Sequence, residues 1–201
     1  MHRIRHLLPV LVLAITASAA FAASPLDDGM EAFRTKDYAR AAELWRPLAQ
    51  AGDPMAQYRL GTLYAEGLGV DHDDEQAFTW FMRAAEKGNP DAQYDVAASY
   101  MGGTGVKASQ ADAIKWFQRA ANQGMPFAQL NLGLLYASGT GVSQDNIEAL
   151  KWLDLALVGL PPGGPRSDVA RAIVDVTQKM KSEDIDEGKS RARRFRAKPE
   201  Q

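Results

Sequence analysis

The side chains best suited to chemistry form one short cluster, Asp71-His72-Asp73-Asp74-Glu75. Only His2 and His6 accompany His72 in the chain, so a histidine-dependent triad in the body of the protein would need His72 as its base. No G-x-S-x-G or S-x-x-K motif supplies an activated serine. The carboxylates could hold Ca²⁺ or Mg²⁺. They could equally begin a helix, where acidic residues cap the free N–H groups and favour the helix dipole.

A 36-residue period in the sequence indicates which of these roles the acidic cluster has. Trp80, Trp116 and Trp152 keep this spacing. Tyr64, Tyr100 and Tyr136 keep it too. A fixed period of this length indicates stacked supersecondary units. We predict full copies at 53–88, 89–124 and 125–160, an incomplete copy or capping hairpin at 23–52, and a Pro/Gly break with capping helices and a basic tail at 161–201.

Each copy has the pattern of two helices joined by a glycine turn. Apolar residues such as Ala56, Leu60 and Leu63 fall on one helical face. The turns contain the pairs Gly67/Gly69, Gly103/Gly105 and Gly139/Gly141, and Gly61 and Gly133 recur at one position of the first helix. Small alanine residues on both helices permit close helix–helix approach. All of these glycines, with the tyrosine and tryptophan columns, are predicted structural positions of the repeat.

Asp73 aligns with Ser109 and Asp145, so all three are predicted N-caps of second helices. The other copies lack the acids that flank Asp73. We therefore predict no catalytic residue, no metal ligand and no cofactor.

The repeat A-x-x-L-G-x-x-Y-x-x-G-x-G-V-x-x-D-x-x-x-A-x-x-W-[FY]-x-x-A-A-x-x-G resembles the Sel-one-like repeat (SLR), a relative of the tetratricopeptide repeat. The second copy departs from it with Val96-Ala97 in place of Leu-Gly. The resemblance implies an all-α fold, a right-handed α/α solenoid of stacked antiparallel helical hairpins. It also implies a non-enzymatic protein–protein interaction module, an adaptor or regulator.

The first 22 residues are typical of a secretory signal peptide. Arg3 and Arg5 precede an apolar stretch and the A-x-A site Ala20-Phe21-Ala22. Export to the periplasm is therefore expected, with an extracellular location second. The chain has no cysteine, so disulfides would not support the exported fold.

The charge is unevenly distributed along the chain. Residues 23–178 carry 13 basic and 20 acidic groups, whereas residues 179–201 carry eight basic and five acidic groups. An acidic body argues against nucleic-acid binding. Ser167 and Ser182 are predicted N-caps of the last two helices. The basic run from Lys189 to Lys198 could contact a membrane surface, although such a run is more often a solvated helix face.

The predicted partner site is the side of each first helix that varies between copies yet stays apolar. In tetratricopeptide architecture this side lines the concave surface. We call these residues the predicted groove: Met55, Tyr58, Arg59, Thr62, Tyr94, Asp95, Met101, Phe127, Leu130, Asn131 and Leu134. Apolar and aromatic residues beneath a polar edge favour binding of a helix or an extended peptide. The alternative for Tyr58, Tyr94 and Leu130 is packing against the neighbouring hairpin.

Two other functions stay open at this level. Some cysteine-rich relatives are described as cell-wall-related or β-lactam-binding enzymes, but they carry a cysteine pair in each repeat and this chain carries none. Other exported members act in host interaction.

Overall fold

The computed structural model describes residues 24–200, which contain ten α-helices and no strand. The predicted signal peptide, 1–22, lies outside this part of the chain. The helices are Pro25–Arg34 (α1), Tyr38–Ala51 (α2), Pro54–Glu66 (α3), Asp74–Glu86 (α4), Pro90–Gly102 (α5), Gln110–Asn122 (α6), Pro126–Ser138 (α7), Asn146–Gly159 (α8), Gly164–Thr177 (α9) and Ser182–Arg194 (α10).

Successive helices pair into hairpins, and each hairpin packs on the next from α1 to α9. The first helix of each full repeat is α3, α5 or α7, and the second is α4, α6 or α8. The predicted all-α solenoid is confirmed. None of the described helices is both long and apolar enough to span a bilayer.

Local capping sets the boundaries of the second helices. The side chains of Asp73, Ser109 and Asp145 accept hydrogen bonds from backbone N–H groups in the first turns of α4, α6 and α8, as predicted. The first helices use a second device, proline at the first position behind an Asp53 or Asn89 cap. Met125 occupies this cap position before α7 and makes no side-chain bond. Because these signals are local, the sequence could locate them.

The two glycines of each turn have different roles. Gly67, Gly103 and Gly139 end the first helices in the left-handed conformation. The second glycine also has positive φ, and at Gly105 the backbone lies against the start of α4, where an added Cβ would be 2.5 Å from the Asp74 carbonyl carbon. This glycine therefore permits close contact between successive repeats.

The other two turns have Gly69 and Gly141 as their second glycines. Both of these residues are exposed to solvent. They lie at the surface of the stack and contribute nothing to its buried core. Their structural role is in the backbone, with φ +68° and +72°. A Cβ at Gly69 would lie 2.3 Å from the Tyr38 carbonyl carbon, and one at Gly141 would lie 2.8 Å from Ile114 Cδ1. The turn conformation and the contact with the preceding hairpin, rather than burial, therefore require glycine here.

The invariant aromatic residues hold the repeats together. Tyr64, Tyr100 and Tyr136 each pack against two successive clusters of the core. Trp80 and Trp152 are buried, while Trp116 is half-buried against the core. Small residues bring the two helices of a repeat together: a Cβ at Gly61 would lie 2.6 Å from the Phe81 ring, and one at Gly133 would lie 2.8 Å from Leu153.

A ladder of buried glutamines adds a polar link at each repeat boundary. Gln57, Gln93 and Gln129 donate from Nε2 to the carbonyls of Ala49, Ala85 and Ala121 over 3.0, 3.1 and 3.2 Å. A buried carbonyl without a partner costs free energy, so these amides stabilise the ends of the preceding second helices.

The C-terminal end of the stack differs from the predicted capping. Helix α9 begins at Gly164, ahead of Ser167, because Pro165 fits the first turn of a helix. The Ser167 hydroxyl donates back to the Gly163 carbonyl. Ser182 is the first residue of α10, and Lys181 precedes it without a side-chain cap. Both N-cap predictions were wrong, although α9 and α10 do cover α8.

Candidate functional site

The predicted groove lies on α3, α5 and α7, and none of its eleven residues is fully buried. Met55, Phe127 and Leu134 are 38%, 41% and 43% exposed, which is unusual for large apolar side chains in this structure. The other eight residues are half-buried. The groove divides into three parts with different surroundings.

The first part is a pocket between α3 and α5. It has a volume of about 440 Å³, and Tyr58, Thr62 and Asp95 line it together with Glu66 and Ser99. The Thr62 hydroxyl donates to the Tyr58 carbonyl over 3.1 Å, and the Tyr58 ring packs on Phe81. The structure thus brings three of the predicted residues together around a polar recess.

The electrostatics of this pocket centre on Asp95. Burial raises the pKa of its carboxyl to about 6, repulsion from Asp91 adds to the rise, and hydrogen bonding with the Tyr58 hydroxyl opposes it. Burial, with the negative charge of Asp95, raises the pKa of Tyr58 to about 12. None of the ion pairs within residues 24–200 includes Asp95. The pocket therefore contains a carboxylate that burial disfavours and no cation balances.

Arg59 borders the same part of the groove. Its guanidinium lies 5.8 Å from the centre of the Tyr58 ring. Its Nε is buried and has no hydrogen-bond partner within residues 24–200. This buried donor is an exception to the rule that buried polar groups are hydrogen-bonded.

The second part, between α5 and α7, is apolar. The Tyr94 ring lies 5.7 Å from Phe117 and 6.4 Å from Phe127, so it connects the core to the exposed Phe127 ring. Met101 packs against the same core cluster. The Asn131 side chain donates to the Phe127 carbonyl over 2.9 Å. Phe127 is the aromatic residue most available to a partner here, because Tyr94 and Met101 also support the fold.

The third part of the predicted groove, on α7, lies against α9. Leu130 packs against the core cluster that contains Val169 and Val176 of α9. Leu134 lines a recess of about 300 Å³ together with Ala137 and Val176. Leu130 therefore packs against a neighbouring helix, which was the alternative to partner binding for this residue. Leu134 lies apart from the Asp95 pocket.

The acidic cluster before α4 shows the geometry of a helix start. His72 is 59% exposed, and its Nε2 lies 3.3 Å from an Asp74 carboxylate oxygen. Asp73 caps α4. Within the described part of the chain, no three His, Asp or Glu side chains are placed to hold a metal ion.

Sequence reasoning missed a second site, where residues 195–200 cross the ends of the second helices. We call this segment the strap. The Phe195 ring packs edge-on against Trp152 with centroids 5.5 Å apart, and the Lys198 N–H donates to the Asn122 carbonyl over 3.0 Å. Arg119 donates from Nε to Glu200 over 3.1 Å, and Gln93 donates to the same carboxylate over 2.8 Å. Arg191 within α10 pairs with Glu187 and Glu148.

Part of this site has a sequence signal. Gln57, Gln93 and Gln129 are 36 residues apart, and so are Arg83 and Arg119. Glu200 has no such signal, because it belongs to no repeat. Its contacts join residues 81 and 107 positions apart.

We expect Glu200→Gln to loosen the strap. The Arg119 hydrogen bond holds the pKa of the Glu200 carboxyl below its usual value. The pair therefore stabilises the strap above the pKa of a free glutamate and loses this effect as the pH falls through the lowered value. For a partly exposed pair worth about 1 kcal/mol, the Lys198 amide should exchange with solvent roughly fivefold faster at pH 7. Glu183→Gln, at an exposed site of α10, is the control, and equal exchange in both variants would contradict the assignment.

Comparison with known proteins places this architecture in a family. The Sel1 repeat model matches residues 19–53, 54–89, 90–125 and 126–157. The chain belongs to the Sel1 repeat family. The matched segments have nearly the same phase as the predicted copies, and the first overlaps the predicted incomplete copy. Sel1 repeats generally serve as protein-interaction modules and non-enzymatic scaffolds.

Two solved Sel1-type structures are similar to the chain. One is a Sel1 repeat protein from Oxalobacter formigenes, with 32% identity, a TM-score of 0.68, and coverage of 80% of this chain and 63% of that one. The other is c5321, a protective antigen of uropathogenic Escherichia coli, with 28% identity, a TM-score of 0.68, and coverage of 78% and 32%. The chain thus spans less than two thirds of either protein. No curated protein matches it.

Proposed function

We propose that this Sel1 repeat protein is a non-enzymatic adaptor or regulator that binds a segment of a partner protein along α3, α5 and α7. The observation that carries this proposal is the Asp95 pocket, which holds a half-buried carboxylate without an ion-pair partner. The exposed Phe127 ring contacts Tyr94, the residue before Asp95. Burial disfavours a charged carboxylate that has no partner. A partner that supplies the missing charge would gain affinity from that pairing.

The pocket favours a lysine or arginine of the partner. A cation beside Asp95 would lower its raised pKa and use the attraction between two partly desolvated charges. Glu66 and Asp91 near the same recess add negative potential that favours a basic ligand. The basic side chain would determine the register of the bound segment.

The α5–α7 part favours an apolar side chain of the same segment. Phe127 is exposed, and its contact with Tyr94 connects it to the rigid core. Aromatic anchors on a rigid support are typical of the residues that dominate interface energies. A segment with one basic and one large apolar residue would therefore span both parts.

The proposed setting is the bacterial envelope. It depends on the signal-peptide pattern of residues 1–22, with the periplasm first and the cell exterior second. One observation supports a location at the cell exterior: the similar E. coli structure is described as a protective antigen. Host interaction is therefore the second candidate function.

A phage-displayed library of random 16-residue peptides tests the binding proposal without knowledge of the partner. We expect selected peptides to share a lysine or arginine and a large apolar residue at a fixed spacing. Their binding should fall by at least about tenfold in Asp95→Asn and in Phe127→Glu, since each removes one anchor. Val158→Glu is the matched control, because Val158 lies on α8 and is 82% exposed. Peptides that bind all four proteins equally would contradict the proposal.

A further inference from the structure

The second helices carry three equivalent positions along one edge of the stack. Each combines the repeat tryptophan with the residue three positions later: Trp80 and Arg83 on α4, Trp116 and Arg119 on α6, and Trp152 and Leu155 on α8. The strap occupies two of them. Phe195 packs on the apolar α8 position, and Glu200, five residues later, reaches Arg119 at the α6 position.

The occupied α6 position shows how this edge binds a carboxylate. The Arg119 guanidinium lies 4.4 Å above the Trp116 ring, which fixes its orientation. Gln93, held by the Ala85 carbonyl, donates its second N–H to Glu200. Gln123 donates to the Gly88 carbonyl and accepts from the Glu200 N–H. A bidentate arginine and an oriented amide therefore surround one glutamate.

The α4 position repeats this arrangement. The Arg83 guanidinium lies 4.5 Å above the Trp80 ring. Gln57 is held by the Ala49 carbonyl over 3.0 Å, and its Oε1 is buried without a hydrogen-bond partner within residues 24–200. Lys87 takes the place of Gln123 and donates from Nζ to the Gly52 carbonyl over 2.6 Å.

Two differences make the α4 position a stronger anion site. Lys87 brings a second positive charge where the α6 position has a neutral amide. None of the ion pairs within residues 24–200 includes Arg83 or Lys87, and both residues are exposed. The site therefore has its donors in place and its charge available.

We propose that Arg83, Lys87 and Gln57 bind the carboxylate of a glutamate in an extended segment of a partner protein. The occupied α6 position is the observation behind this choice, because the same constellation already binds a glutamate on extended chain there. The ligand differs from that of the α3–α5 pocket in charge, and this site does not depend on the proposed groove.

An NMR titration of the full chain, labelled with ¹⁵N, tests the site. The probe is acetyl-Ala-Pro-Glu-amide, and its control is acetyl-Ala-Pro-Gln-amide, which differs only in charge. We expect the glutamate peptide to shift the Arg83 Nε–H and the backbone amides of Gly52 and Lys87, with a dissociation constant of the order of 1 mM for so short a ligand. The glutamine peptide should shift them at least about tenfold less at the same concentration.

Variants give the second readout. Arg83→Gln combined with Lys87→Gln should weaken the glutamate peptide at least about tenfold, while Arg171→Gln on α9 should not change its affinity. Three results would overturn the inference: equal shifts from both peptides, equal shifts from sodium phosphate at the same concentration, or shifts confined to Arg119 and the strap. The comparison of the two peptides on the unaltered chain holds even if the double variant does not fold.

Discussion

Gly105→Ala is expected to destabilise the repeat stack by about 3 kcal/mol. Gly105 has φ +67°, which costs roughly 1–2 kcal/mol for a residue with a Cβ. The added Cβ would also overlap the backbone of Asp74 at the start of α4, and overpacking of this kind costs about 1–3 kcal/mol. Urea unfolding followed by circular dichroism should show the loss as a lower midpoint.

Gly102 provides the matched control three residues earlier. It is the last residue of α5, and an added Cβ there would lie 3.4 Å from the Thr104 hydroxyl, an ordinary contact. Alanine is the better helix former by up to about 1 kcal/mol, so Gly102→Ala should leave the midpoint unchanged or raise it. Equal midpoints for the two variants would show that the second glycine does not determine the close approach of the repeats.

Asp95→Asn is expected to stabilise the fold by about 2 kcal/mol at pH 7.5 and to have almost no effect at pH 3. The folded pKa of Asp95, about 6, lies above its ordinary value of 3.8. Below both values the carboxyl is protonated in the folded and unfolded chains, so burial carries no penalty. Between them the native state holds a proton that the unfolded state releases, and its stability falls as the pH rises. The full difference corresponds to about 3 kcal/mol, reduced here for solvent access.

Asp91→Asn is the control for this effect. Asp91 is exposed on the same helix and contributes only repulsion at Asp95, so its replacement should change stability by a few tenths of a kcal/mol. Unfolding free energies at pH 3, 5 and 7.5 separate the two variants. If the increase in unfolding free energy from Asp95→Asn does not vary with pH, the stabilisation is not due to the charge of Asp95. The combination of greater stability with weaker capture of basic peptides is typical of residues kept for binding.

The fold was largely predictable because its signals are local and periodic. Asp73, Ser109 and Asp145 lie at the same phase of the repeat, and each caps a helix through bonds to residues two or three positions away. The tyrosine column has one role in every copy. Residue types that recur at the same position of every copy therefore indicate residues that pack the repeats together, and the successive core clusters agree with this.

The candidate site was less predictable because it depends on where elements outside the repeats lie. Helix α9 packs beside α7 and gives Leu130 and Leu134 a different environment from their equivalents in the earlier copies. The pocket that raises the pKa of Asp95 needs α3 and α5 side by side, so the residue type alone did not reveal it. The strap joins Glu200 to Arg119 without any repeat pattern.

Site-specific photocrosslinking in cells tests the central claim, that the partner binds along α3, α5 and α7. Benzoylphenylalanine would replace Phe127 in one version of the full-length protein and Val158, also exposed but on α8, in another. We predict an ultraviolet-dependent adduct of defined mass from position 127 that disappears when Asp95→Asn is added, and no such adduct from position 158. Adducts of the same mass from both positions, or an adduct from position 158 alone, would contradict this account.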